Sequence, residues 1–176
     1  MNKKLKFLSV MIILVLSTTP AIAFQADIIN VCFSPNGNCT NAIVEQIDNA
    51  KAEIKVQAYS FTSAPIAKAL LIAHKRGIDV QIILDKSQKK QSYSSYTFFN
   101  NNGIPVYIDN AHAIAHNKII IIDKEIVITG SFNFTKAAET KNAENVLIIK
   151  SKEMASQYLM NWSKHKKHSD SYSGRE

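Results

Sequence analysis

Four polar side chains in the second half of the chain have types and a spacing that suit one kind of chemistry. His116 and Lys118 are separated by one residue, and Ser131 and Asn133 follow a run of isoleucines. An imidazole is a competent nucleophile and proton carrier near neutral pH. An ammonium, a hydroxyl and an amide can bind phosphate oxygens and stabilise a pentavalent transition state. The set therefore predicts attack by His116 on the phosphorus of a phosphodiester, without a metal ion.

Two carboxylates are candidates for supporting this reaction. A carboxylate should orient the imidazole and fix its tautomer, and Glu144 is the candidate for that role. Asp123 follows His116 by seven residues, an odd offset that would turn it to the opposite face of a straight strand. We therefore expect Asp123 to hold the turn or the lysine. Both carboxylates are included in the predicted catalytic set, and which of them touches the imidazole stays open.

A central strand is predicted to position the reactive pair. Residues two apart on a strand point to the same face, so His116 and Lys118 should project together. Residues 119–122 are all isoleucine, which is typical of a strand covered on both faces. A tight turn at 123–125 should return the chain as an antiparallel strand over 126–129.

Strand and helix patterns alternate over the rest of the chain. Further strands are predicted over 28–33, 54–61, 78–84, 104–108 and 146–149, and helices over 40–51, 63–76, 92–101 and 152–163. Short joints between strand, helix and strand at 54–84 indicate a βαβ unit with parallel strands. The predicted fold class is α/β, with a mixed, largely parallel sheet of six or more strands and helices on both faces.

The N-terminal residues have the pattern of a secretory signal peptide. Lys3, Lys4 and Lys6 precede an apolar stretch over Phe7–Leu16, and Ala21–Ala23 is a small-x-small cleavage site. This predicts a signal peptide at 1–23 and a single catalytic domain at 24–176, in a secreted or periplasmic protein. An uncleaved anchor is the alternative, although the stretch is short of the about 20 residues that span a bilayer.

Charge and cysteine content give weaker indications. The formal net charge is +7, and removal of three leader lysines leaves +4, a mild bias toward polyanions. Basic clusters occur at Lys86, Lys89 and Lys90 and at Lys164, Lys166 and Lys167, the second of which has the pattern of a solvated tail. Cys32 and Cys39 flank a Pro-Asn-Gly turn, so a disulfide is possible in an oxidising compartment. Two free thiols are the alternative.

The remaining histidines are not predicted to bind metal. His74 should be a cation at the end of a helix. His112 and His116 are four residues apart, but that spacing indicates a metal site only on a helix. His165 and His168 should belong to a polar tail.

The stretch 54–149 resembles the small bacterial endonucleases of the phospholipase D superfamily, the Nuc type. His116–Asp123 matches H-x-K-x4-D, and Gly130–Asn133 matches G-S-x-N. Further matching stretches are Ala58–Thr62, Lys75–Gly77 and Thr129–Asn142. The segment Cys32–Cys39 is not part of that pattern. It is similar to secreted proteins of intracellular bacteria that are commonly named phospholipase D.

The resemblance implies the phospholipase D/nuclease fold and a metal-independent phosphodiesterase that forms a phosphohistidine and needs no cofactor. Members use two H-x-K-x4-D motifs per active site, and this chain carries one. The resemblance therefore implies a homodimer with a shared site, in which the partner subunit's His116 protonates the leaving oxygen. The site residues that it implies are His116, Lys118, Ser131, Asn133 and Glu144, with Asp123 matching the motif but in a less direct role.

Three functions remain open from the sequence. The first is an endonuclease on DNA or RNA with little sequence preference. The second is a phospholipase D acting on phosphatidylcholine-type lipids, without stable membrane insertion. The third is an inactive nucleic-acid- or lipid-binding module, which is disfavoured because both His116 and Lys118 are present. An aromatic segment containing Tyr93, Tyr96, Phe98 and Phe99 could contact bases or lipid, but we expect the two phenylalanines to be buried.

Overall fold

The computed structural model of this protein describes residues 25–90 and 95–171, so the predicted signal peptide at 1–23 lies outside the described residues. The strands are β1 (Asp27–Ser34), β2 (Glu53–Ala58), β3 (Asp79–Asp85), β4 (Val106–Asp109), β5 (Lys118–Ile122), β6 (Ile126–Gly130), β7 (Glu144–Lys150) and β8 (Asp170–Ser171). The helices are α1 (Cys39–Asp48), α2 (Ala64–Lys75), α3 (Ser95–Asn101), α4 (Lys136–Thr140) and α5 (Lys152–His168). No helix among these residues is long and apolar enough to cross a membrane.

The strands form one sheet in the order β1-β7-β6-β5-β2-β3-β4-β8. The predicted α/β class is confirmed, but the expectation of a largely parallel sheet is wrong. Only β2–β3 and β3–β4 are parallel, and the other neighbouring pairs are antiparallel. Parallel neighbours need a long crossover, which α2 and α3 supply here. β5, β6 and β7 are instead joined in sequence by shorter connections, and these neighbouring strands are antiparallel.

Alternation along β5 explains why its isoleucines are all buried. Ile120 and Ile122 face the larger core, which contains residues of α1 and α2. Ile119 and Ile121 face the opposite side, where Ala155 and Trp162 of α5 cover them. Helices thus lie on both faces of the sheet, as predicted, and β5 is held from both sides.

One part of the α5 face of the sheet is left open. α5 packs against β2, β4, β5 and β6. On the edge strand β1, Val31 and Phe33 remain 47% and 66% exposed. Ile28 and Ile29 of the same strand are exposed as well. This end of the sheet therefore presents an apolar surface to its surroundings, which we call the β1 surface.

The helix ends follow local sequence signals in some places and tertiary contacts in others. Gly77 follows α2 at φ +90°, as a C′ glycine should. α1 begins at Cys39, one residue before the predicted start at 40, and its N-cap residue Asn38 makes no side-chain capping hydrogen bond. The carboxylate of Glu139, in α4, instead accepts hydrogen bonds from the backbone N–H groups of Asn38 and Thr40 at 2.9 and 2.7 Å.

The structure tests two predictions about side chains, the disulfide and the burial of the two phenylalanines. Cys32 and Cys39 form a disulfide with a Cα–Cα separation of 5.6 Å, which joins β1 to α1. Phe99 is buried as expected, whereas Phe98 is 38% exposed, because it lies on the outer face of the short helix α3. Tyr93 lies outside the described residues.

Candidate active site at the start of β5

The reactive pair lies where the chain enters β5. His116 is exposed and precedes the strand, and Lys118 is its first residue. The ring of Tyr59, just after β2, lies 4.6 Å from the imidazole, centre to centre. The backbone N–H of Tyr59 also donates to the carbonyl of Asn117 at 2.9 Å. The neighbouring strand therefore holds the imidazole by a ring contact and leaves one side of it open.

Lys118 is the buried cation of the site. The residue is only 7% exposed, and its Nζ donates to the carbonyl of His116 at 2.7 Å. The same Nζ lies 5.1 Å from the centre of the Tyr59 ring, a cation–π contact. Burial lowers the pKa of the Lys118 ammonium, and the negative charge of Glu144 partly offsets that effect. A partly desolvated ammonium interacts strongly with an approaching phosphate.

Ser131 is positioned by the neighbouring strand β7. Its Oγ accepts hydrogen bonds from the backbone N–H and the side-chain Nδ2 of Asn145, at 3.1 and 3.3 Å. With both lone pairs engaged, the hydroxyl proton is available to donate to a phosphate oxygen. Gly130 has φ +147°, and a Cβ there would lie 2.2 Å from the carbonyl oxygen of Asn145. The glycine is therefore required by close packing against β7.

Asn133 and Glu144 differ in their hydrogen bonding. Among the described residues, the Oδ1 of Asn133 is buried and has no hydrogen-bond partner. Glu144 begins β7; its Oε1 accepts from Asn142 Nδ2 at 3.1 Å, and its backbone N–H donates to Ser34 Oγ at 3.2 Å. Its charge acts on Lys118. Within the described ranges, the carboxylate makes no hydrogen bond to the imidazole of His116. The role expected of Glu144 in orienting the ring stays a prediction.

Asp123 lies at the other end of β5. Its carboxylate accepts hydrogen bonds from three backbone N–H groups before and at the start of β2, those of Lys51, Ala52 and Glu53, at 2.8, 2.7 and 3.0 Å. The length of β5 places it about 16 Å from the reactive pair. The structure thus does not bring Asp123 together with the other site residues.

A groove lies beside the reactive pair. Its lining includes Tyr59, Lys86, Lys89 and Ile114, and its volume is about 450 Å³. Ile114 is 58% exposed. The Nζ of Lys86 donates to the carbonyl of His112 at 2.7 Å, which ties the wall of the groove to the loop that leads into β5. The groove offers a substrate both cationic and apolar contacts.

Sequence reasoning missed several residues at this edge of the sheet. Tyr59 lies within the stretch Ala58–Thr62 that matches the family pattern, but the sequence alone assigns it no role. An aromatic residue at the end of a strand beside the motif strand is a signal that could have identified it. Asp109, at the end of β4, was also missed. His165 and His168, expected in a polar tail, lie against it in the last turns of α5.

Comparison with family models gives a match over most of the chain. Residues 43–165 match the model described as "Cardiolipin synthase, PLD-like domain". A protein of Rickettsia conorii named "Phospholipase D" is 50% identical over 134 residues, covering 76% of this chain and 67% of that protein. The "Mitochondrial cardiolipin hydrolase" of Canis lupus familiaris is 30% identical over 129 residues, covering 73% of this chain and 51% of that protein.

A solved structure gives the same result. The phospholipase D family member Nuc from Salmonella typhimurium superposes with a TM-score of 0.80 at 39% identity. The match covers 85% of this chain and 100% of that structure.

Proposed function

The chain belongs to the phospholipase D superfamily and is a phosphodiesterase, and we propose that it hydrolyses its substrate through a phosphohistidine on His116, in a homodimer and without a metal ion. The observation that carries this proposal is the contrast between an exposed imidazole and the buried ammonium beside it, with the Ser131 hydroxyl free to donate. These groups together supply a nucleophile and compensating charge for a phosphate.

The reaction has two steps. A ring nitrogen of His116 attacks phosphorus, the P–N bond forms, and the P–O bond to the leaving group breaks. The partner subunit's His116 gives its proton to the leaving oxygen, so that an alcohol departs. Water then attacks the phosphohistidine, the same partner imidazole takes a proton from that water, and the P–N bond breaks. Lys118 and Ser131 bind the non-bridging oxygens throughout.

The need for a second subunit rests on what one chain provides. Among the residues that the structure describes, the site at the start of β5 contains a single histidine, and the reaction needs both a nucleophile and a proton donor. A two-fold axis close to an exposed His116 would place two imidazoles at one phosphate. The apolar β1 surface lies on the strand paired with β7, which begins at Glu144. We propose that this surface is covered in the dimer.

For the substrate we propose nucleic acid first. Lys86 and Lys89 line the groove that adjoins the site, and the chain without its predicted leader carries a net charge of +4, the total of +7 less three leader lysines. Cationic grooves bind the phosphate backbone in a salt-dependent manner and need no base contacts. Cleavage of DNA or RNA with little sequence preference follows from such a groove.

A lipid substrate is the second candidate. The relatives from Rickettsia conorii and Canis lupus familiaris have names that refer to phospholipid hydrolysis. The exposed Ile114 side chain in the groove is suited to contact an acyl chain or a lipid surface. Phosphatidylcholine-type lipids would then give phosphatidic acid by the same two steps.

One pair of assays separates these candidates. Purified protein in EDTA is assayed in parallel against plasmid DNA and phosphatidylcholine vesicles. For the nuclease, Lys89→Ala should weaken cleavage several-fold at moderate salt, whereas Lys164→Ala, an exposed lysine of α5 outside the groove, should not. For a phospholipase D, Ile114→Ser should reduce the hydrolysis of phosphatidylcholine vesicles, and Lys89→Ala should have little effect on that hydrolysis. Turnover of neither substrate would overturn the proposal and favour a binding module.

We also propose that residues 1–23 are a signal peptide and that the protein is secreted or periplasmic. A disulfide between Cys32 and Cys39 is compatible with an oxidising compartment. Mass spectrometry of protein recovered outside the cytoplasm should give an N-terminus at Phe24, and an intact leader would contradict the proposal.

A further inference from the structure

A second group of histidines surrounds one buried carboxylate at the end of β4. Asp109 has no exposed surface. Its Oδ2 lies 2.7 Å from His165 Nδ1, 3.0 Å from His112 Nδ1 and 3.4 Å from His168 Nε2.

The four side chains converge on a common point. One ligand atom from each of Asp109, His112, His165 and His168 lies within 4.8 Å of the other three. Tetrahedral coordination with bonds of about 2.0–2.1 Å places neighbouring ligand atoms about 3.3 Å apart. Small side-chain rotations would therefore bring the set to coordinating distances. The ring centres of the imidazoles are already 4.8, 5.1 and 5.3 Å apart.

A purely hydrogen-bonded cluster is the alternative, and it accounts for less of the geometry. An ionised carboxylate has about four lone-pair sites, but it does not need three imidazoles to be satisfied, and three imidazoles packed together would repel one another if protonated. Neutral imidazoles are the form that binds a metal ion. The other oxygen of Asp109, Oδ1, lies 3.0 Å from His112 Nδ1 and accepts a hydrogen bond from the backbone N–H of Ala111 at 3.1 Å. The backbone N–H is the outer support typical of a ligating carboxylate.

We propose that Asp109, His112, His165 and His168 bind one divalent transition-metal ion of the Zn²⁺ type. Three nitrogen donors and one carboxylate suit Zn²⁺, Co²⁺ or Ni²⁺, whereas Mg²⁺ and Ca²⁺ prefer all-oxygen sites. The site is separate from the phosphodiester chemistry: β4 lies three strands from β5, or about 14 Å across the sheet.

The ion would clamp the end of α5 to the loop that leads into the active site. His165 and His168 belong to the last turns of α5, whereas His112 belongs to the loop between β4 and β5. The same loop is fixed further along, where the backbone N–H of Ala115 donates to Asp85 Oδ2 at 2.7 Å. The metal therefore has a structural role and does not contact the phosphate.

The test is a binding measurement on untagged full-length protein, stripped with a chelator and dialysed free of it. Calorimetric titration with Zn²⁺ should give one ion per chain, and Co²⁺ should give the visible absorption of a tetrahedral site. Zn²⁺ should also raise the melting temperature, because it binds the folded chain. Mg²⁺ should give neither effect.

Variants identify the ligands. His168→Gln should weaken Zn²⁺ binding by about 100-fold or more and abolish the tetrahedral Co²⁺ spectrum, and His112→Gln should do the same. These histidines are exposed, so both variants should fold, which circular dichroism verifies. Matched controls are His74→Gln, remote from the cluster, and His116→Asn, which should both bind Zn²⁺ like the wild type.

Three results would overturn the inference. They are substoichiometric Zn²⁺ binding by the wild type, Zn²⁺ binding that survives in His168→Gln and His112→Gln, and loss of binding in His116→Asn alone. None of these readouts depends on catalysis, so failure of the metal site and failure of the proposed hydrolysis are distinguished.

Discussion

The two ends of β5 carry polar motif residues that differ in how far their side chains are already hydrogen-bonded within the protein. At its start, His116 is exposed and contacts the ring of Tyr59, and Lys118 is desolvated beside it. At its end, Asp123 accepts three backbone hydrogen bonds from the segment that enters β2. Both ends match one contiguous motif, and only the first has side chains left open to an incoming group.

The difference shows what each motif residue is suited for. A carboxylate whose oxygens are taken by backbone donors stabilises a turn and has little capacity left for a substrate. An exposed imidazole beside a buried ammonium gains its best partners only when a phosphate arrives. We therefore divide the motif into a reactive start and a structural end, and the following predictions test that division.

The largest effect is expected from His116→Asn. Removing the proposed nucleophile should lower kcat on the order of 10⁴-fold or more, because the proposed phosphohistidine could not form. The exposed site implies little change in melting temperature. Steady-state kinetics beside thermal unfolding would check this, with His74→Asn as the matched histidine control. Residual turnover above about 1% of the wild-type rate would place the nucleophile elsewhere.

Lys118→Met should separate activity from stability. Loss of the ammonium should reduce kcat by about 10²–10³-fold, because charge in the transition state loses its main compensation. Replacing a buried amine by an apolar side chain of similar length should leave the free energy of unfolding equal to or above that of the wild type. Kinetics and urea denaturation provide the two readouts. A variant that is much less stable would mean that the lysine holds the fold.

Asp123→Gly should have the opposite effects to Lys118→Met, lowering stability while leaving activity nearly unchanged. Glycine tolerates the observed φ of +53° and removes the short side chain with its carboxylate, so three backbone N–H groups lose their partner. We expect a loss of about 1–3 kcal/mol in the free energy of unfolding, with kcat of the folded protein within about threefold of the wild type. If kcat fell as far as in Lys118→Met while the fold persisted, the structural assignment of Asp123 would be wrong.

The smallest effect concerns pH. Burial lowers the pKa of Lys118 below 10.5, so between that lowered value and 10.5 the folded state holds fewer protons than the unfolded state. The free energy of unfolding contributed by this residue therefore rises as the pH rises through that interval. Urea denaturation of wild type and Lys118→Met over the alkaline range isolates the contribution. A difference between the two that is flat with pH would contradict the assigned burial effect.

The motif strand, the βαβ unit and the disulfide could be predicted because their signals are local. Four consecutive isoleucines identify a strand covered on both faces, and the joints around α2 give the parallel pair. The position of β1 could not be predicted, since it pairs with β7, far along the chain. That non-local pairing, together with the hairpins, makes the sheet mostly antiparallel.

The sequence predicted which residues form the candidate site, but only some of the contacts that they make. His116, Lys118 and Ser131 lie near the start of β5 or beside it, as their spacing indicated. The engagement of Asn145 with Ser131 and of Asp109 with distant histidines depends on where β7 and α5 pack. α5 also continues to His168, beyond the predicted end at 163, because tertiary contacts at its last turns outweigh a polar sequence.

The most direct test is the stoichiometry of the covalent intermediate. A small aryl phosphodiester is mixed rapidly with protein, and the reaction is quenched in alkali, which preserves phosphohistidine. The burst of released phenol should equal one equivalent per two chains, and peptide mass spectrometry should place the adduct on His116. An adduct on another residue, a full equivalent on every chain, or a burst from protein that sediments as a monomer would contradict the shared site.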